Sequence, residues 1–106
     1  MKIEGKMNTR RVWVDGRELR PNHSQQVYNH SPDGFSWGYG GSGPAQLALA
    51  ILLCAGVPED KAVEIHQDFK RDFVAQLPDD FLVDVTLSSE GKWAVTAPRQ
   101  DWTRPR

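Results

Sequence analysis

The residues best placed to do chemistry lie between His30 and Gly43, in the stretch HSPDGFSWGYGGSG. Five of the chain's nine glycines fall in the ten residues Gly34 to Gly43, and Pro44 and an apolar run follow at once. A glycine-rich turn that opens a helix aims backbone N–H groups outward at the positive end of the helix dipole. That makes Gly40, Gly41, Ser42 and Gly43 a candidate site for a small anion, a phosphate or carboxylate. The pattern is neither the P-loop, whose Lys-Ser/Thr it lacks, nor the dinucleotide fingerprint, and no Lys or Arg lies between His30 and Lys61 to supply a local cation. The competing reading is a close-packed turn whose glycines let the backbone pass beside Trp37 and Tyr39.

His30, Asp33 and Ser42 have the residue types of a base, its orienter and a nucleophile, but their spacing matches no nucleophile-elbow pattern. Asn29 to Asp33 is turn chemistry, and Ser42 is a cap. His23, His30, His66 and Cys54 contain no ligand pair at zinc spacing, so no metal and no cofactor are expected, and His66 reads as a boundary residue of a helix. The chain is therefore expected not to be an enzyme. Four tryptophans are many for 106 residues. Large aromatics serve the core, and any left exposed mark a partner surface, which makes Trp13, Trp37, Tyr39 and Trp102 candidate partner-binding residues.

The elements that must position these groups follow from periodicity. From Leu47 to Cys54 no residue is charged, so the helix beginning near Pro44, with Ser42 or Gly43 as N-cap, has no face written for water and must be buried. Gly56 suits the left-handed residue after its end. A second helix restarts at Pro58, with Ala62, Ile65, Phe69, Phe73 and Leu77 as its apolar stripe, and stops at Pro78. The few linking residues make the two an antiparallel helix hairpin.

Arg11 to Arg20 reads as a β-hairpin turning at Asp15-Gly16, and Phe81 to Ala97 as a second one turning at SSEG. Pro21 to Gln26 reads as a polar break, Val27-Tyr28 as a short strand, and Phe35 to Tyr39 as a strand with an aromatic face. The fold class is α+β: a buried first helix and an amphipathic second helix packed on a small antiparallel sheet of β-hairpins. Residues 1–106 are expected to form a single domain with its core at about 10–97, residues 1–8 and 98–106 being frayed tails.

A net charge of −1 with mixed signs gives neither nucleic acid nor a membrane surface a field to follow. Trp13 between Arg10-Arg11 and Arg17 is the one local hint of a nucleic-acid surface, and a solvated hairpin explains it as well. A lone cysteine, no apolar leader and no apolar run of bilayer length lead to the expectation of a cytoplasmic protein.

Ser31 to Leu53, SPDGFSWGYGGSGPAQLALAILL, together with Gln67 to Pro78, QDFKRDFVAQLP, resembles a small uncharacterised domain family of phage and other mobile-element proteins. The resemblance is weaker before Ser31 and after Pro78. It implies the family's fold and a mobile-element origin, and it implies no reaction. The expected function is a non-enzymatic protein-binding module whose partner is a host protein, for instance a defence component that it inhibits in the manner of an anti-CRISPR. The alternative is a nucleotide- or phosphometabolite-binding domain that uses the loop Gly38 to Gly43. The sequence leaves the oligomeric state open.

Overall fold

The computed structural model describes residues 1–102. Its sheet has five antiparallel strands in the order β3-β2-β1-β4-β5: β1 Lys2–Lys6, β2 Arg11–Val14, β3 Arg17–Leu19, β4 Asp80–Leu87 and β5 Trp93–Val95. Between β3 and β4 the chain makes α1 (Asn22–Val27), α2 (Ser42–Cys54) and α3 (Glu59–Asp72), and the helices pack on one face of the sheet. The fold is α+β.

Strand alternation explains the buried face. Ile3 sits between Val14 and Val83 across the register, and Gly5 between Val12 and Phe81, all five side-chain-bearing residues being buried. Gly5 is there because the Phe81 ring lies over it: a Cβ would come within 2.3 Å of that ring. The β2–β3 turn has positive φ at both Asp15 and Gly16, as a two-residue primed turn requires. β4 and β5 form the second expected hairpin.

The buried helix is α2. Every residue from Gly43 to Ile51 and Leu52 is buried, and Gly56, at φ 90, takes the left-handed position after its end. Gly41 is its N-cap, one residue before Ser42. The α3 stripe buries Ala62, His66 and Phe69, with acids in its first turn and Lys70 and Arg71 in its last, as the dipole favours. A 3₁₀ turn at Val74–Gln76 follows α3, so Leu77 reaches the core from beyond the helix.

Four expectations are corrected. Residues 1–8 are not a frayed tail: β1 is the middle strand, paired on both sides, because only its alternate residues need to be apolar and the Phe81 ring fills the space at Gly5. Residues 98–102 are not frayed either, since Trp102 is 5% exposed, donates from Nε1 to Ala97 O at 2.9 Å, and through its carbonyl accepts from Leu82 N at 2.8 Å. The remaining tail, 103–106, lies outside the described residues. The polar stretch after Pro21 is α1, and Val27 ends it in place of starting a strand. Phe35 to Tyr39 is irregular: Phe35 and Trp37 are buried, but Gly38 has φ 83 and no strand pairs with the segment.

Candidate functional site

The glycine loop is pinned at several points. Trp37, 1% exposed, donates from Nε1 to the carbonyls of Pro78 and Asp79, both at 3.0 Å, and its ring meets Phe81 edge-on. Gly38 N donates to Val74 O at 3.1 Å, and a Cβ on Gly38 would sit 3.0 Å from Leu77 O. The Tyr39 ring lies over Gly41, where a Cβ would meet it at 2.4 Å, and Gly43 lies against Ser36, 2.7 Å from where its Cβ would stand. Positive φ is confined to Gly34 and Gly38 within this stretch. Gly41 and Gly43 therefore serve close approach, whereas Gly40 has open space around it.

Beside this loop is a cleft of about 180 Å³ lined by Arg10, Ser31, Asp33, Ser36, Tyr39 and Ser42 among others. No side chain caps α2, and Pro44 has no N–H, so the amides at Ser42 and Gly43 carry the positive end of the helix. The cation missing from the local sequence comes from Arg10, at the end of the β1–β2 turn, where its φ of 56 fits the left-handed position of a hairpin loop. Among the described residues Arg10 is in no ion pair. Asp33 brings an opposing charge to the same cleft. A wider cleft, about 470 Å³, lies where Gly38 meets Gln76, Leu77, Pro78 and Arg99.

Tyr39 is 54% exposed, the most open large apolar side chain among the described residues. The other partner-binding candidates fare differently. Trp37 and Trp102 are buried in the core, each with its indole N–H satisfied, and so are not available to a partner. Trp13 is half-buried on the face of the sheet away from the helices, beside Glu4, Lys6 and Gly16.

Asp33 and Ser42 reach one cleft, but His30 does not complete a triad with them. Its Nε2 lies 2.8 Å from Nε2 of His66, and its ring stacks on Tyr28 with centroids 4.2 Å apart. His66 is 3% exposed, and its Nδ1 donates to Val63 O at 2.6 Å. Burial, then the charge that His66 would carry, then Lys70 hold His30 below the ordinary histidine range. Among the described residues no three His, Cys, Asp or Glu side chains converge on a metal position. Cys54 is at the exposed end of α2, its thiol pushed up by partial burial and by Asp15.

Sequence reasoning missed Gln46. Fully buried in α2, it accepts at Oε1 from the amides of His30 (2.8 Å) and Ser31 (3.0 Å) and donates from Nε2 to Ser24 Oγ (2.9 Å) and Tyr28 O (3.1 Å). This one side chain ties α1 and the segment leading to the glycine loop onto the core. The available signal was its isolation, the only polar side chain between Pro44 and Leu53. The His30–His66 pair, 36 residues apart, and the exposed Tyr28 were missed as well.

No helix among the described residues is long and apolar enough to cross a membrane. No curated protein and no solved structure matches the chain. The model of one family, described only as a family of unknown function (DUF6166), matches residues 3–97. That span reaches well beyond the motifs at Ser31–Leu53 and Gln67–Pro78, taking in the first hairpin and the last strand as well as the helices and the glycine loop; the chain belongs to this family of unknown function.

Proposed function

We propose that the chain is a non-enzymatic protein-binding module that engages its partner through Tyr39, with the adjoining cleft receiving an acidic side chain of that partner. The observation that carries this reading is Tyr39 itself, a large aromatic 54% exposed on a loop whose two flanks are fixed in the core. A rigid Tyr loses little conformational entropy on binding, and Tyr and Arg are enriched among residues that dominate interface energies. Arg10 and the uncapped first turn of α2 supply the positive potential for a carboxylate. The resemblance of the loop and helix motifs to mobile-element proteins supports a partner in the host, a component of a defence system that the module blocks, and the lone cysteine suits action in a reducing cytoplasm.

Affinity capture from host lysate tests the proposal, with the wild type compared against Tyr39→Ala and Arg10→Ala. Both side chains are exposed, so both variants keep the fold. A host protein held by the wild type and lost on Tyr39→Ala, with roughly 2 kcal/mol or more of binding removed, is the expected result. A host protein retained equally by both variants refutes it.

The uncapped helix start and Arg10 also favour a second reading, a nucleotide or phosphometabolite bound in the same cleft. Inorganic phosphate or nucleotide would then raise the melting temperature saturably, by the equivalent of ~2.7 kcal/mol at a hundred times Kd, and Ser42→Ala would blunt the rise.

A further inference from the structure

The His30–His66 contact lies outside the cleft and plays no part in the proposed docking. Its geometry fixes where the protons are. His66 Nδ1 faces the Val63 carbonyl, so that nitrogen carries a proton and Nε2 of the neutral ring is an acceptor. The proton between the rings therefore belongs to His30 Nε2, which donates to His66 across 2.8 Å. With Nε2 atoms 2.8 Å apart and ring centroids 4.9 Å apart, each ring points nearly straight at the other. That is a hydrogen bond between rings and not two ligands converging on an ion.

We infer that this pair is a pH-operated latch that holds the segment Tyr28–Ser31 against α3 and opens when both rings are protonated. A first proton, on His30 Nδ1, leaves the contact intact, because His30 Nε2–H still donates. A second proton has to enter at His66 Nε2, the atom that accepts, and would place two imidazolium rings in contact beside a third cation. The charged and titratable groups facing the pair are His66 and Lys70 from α3 and Tyr28 from the segment itself; α2 presents the neutral Gln46. Once the latch opens, the segment is held by Gln46, by Gln25 Nε2 on the Ser31 carbonyl and by Tyr28 N on the Ser24 carbonyl, none of which reaches α3, and the Tyr28–His30 stack is free to leave that helix.

The sign follows from burial and these neighbours, which hold the His30 pKa below its ordinary value. An open or unfolded chain then takes up a proton that His30 in the latched pair resists. The latch is fully effective above the free histidine value, about 6.5, and weakens as pH falls through it, by up to about tenfold for each unit of lowering.

Wild-type protein suffices for the test. Imidazole NMR at about pH 8, well above the free histidine value, should show His66 as the Nδ1–H tautomer and His30 as the Nε2–H tautomer. Amide exchange at Tyr28, His30 and Ser31, corrected for intrinsic rates, should accelerate by up to about tenfold as pH falls from about 7.5 to 5.5, while the β1 and β4 amides keep their protection. His30→Gln should remove that selective acceleration, and His23→Gln, at an exposed histidine outside the pair, should leave it in place. An Nε2–H tautomer on His66 overturns the inference, as does exchange in the segment that tracks the β1 and β4 amides at every pH.

Discussion

Replacing Gln46 by Met separates hydrogen bonding from volume, because Met is similar in length and flexible enough to fill the same space. The side chain lost accepts from two backbone amides, His30 N at 2.8 Å and Ser31 N at 3.0 Å. Ser24 Oγ retains its own donation to Pro21 O at 2.8 Å, so its share of the loss is small. Each orphaned buried amide costs ~1–3 kcal/mol, and the partial exposure of His30 and Ser31 lets water recover some of it, which puts the total at roughly 2–4 kcal/mol. At ~4 °C per kcal/mol for a chain of this size, the melting temperature should fall by about 8–16 °C. Urea unfolding measures the free energy, and hydrogen exchange shows whether the His30 and Ser31 amides lose protection first. A change below ~0.5 kcal/mol, the scale of an ordinary surface substitution, would refute the assignment of Gln46 as the tie between α1, its following segment and α2.

The glycines of the loop separate cleanly by substitution. Gly43→Ala places a methyl 2.7 Å from Ser36 Cβ and 3.0 Å from Ser36 N, and should cost ~1–3 kcal/mol in thermal unfolding through forced backbone shifts. Gly40→Ala meets nothing within 4 Å and should stay within ~0.5 kcal/mol of wild type. Trp102→Ala should cost ~3–5 kcal/mol, seen by denaturant unfolding, since it empties a site between Phe73 and the Ala97 carbonyl; a negligible change would show the tail undocked.

Where the deciding information is local, the sequence was readable. Asp15-Gly16 announces its turn because few residues other than these accept two consecutive positive φ angles, and Gly56 announces a helix end for the same steric reason. The uncharged run after Pro44 declares its own burial. What stayed hidden depends on partners far along the chain. Lys2–Lys6 contains only Ile3 as an inward apolar side chain, and its strand exists because Phe81 covers Gly5 and because β2 and β4 both pair with it. The six residues of α1 have no apolar stripe, and Gln46 holds them. At the candidate site the glycines, Ser42 and Tyr39 were legible, since they share one loop. Arg10 was not, because the first hairpin delivers it from 32 positions away.

The strand order places β1 beside β4, so the central ladder joins Lys2–Lys6 to Asp80–Leu87. On a ribosome, the first strand synthesised waits for almost the last, with all three helices emerging in between. Long-range pairing of this kind carries a large loop-closure cost before it returns any contact energy, so folding should be slow for a chain of this length. During that wait α2, which has no polar face, is finished before the strand that completes its covering sheet exists. The nascent chain thus passes through an interval with its most apolar segment uncovered, when a chaperone or a second nascent copy competes for it. Translation speed across α3 and β4 then sets how long the interval lasts, and the yield of folded protein should be more sensitive to synonymous changes there than to changes in the first hairpin.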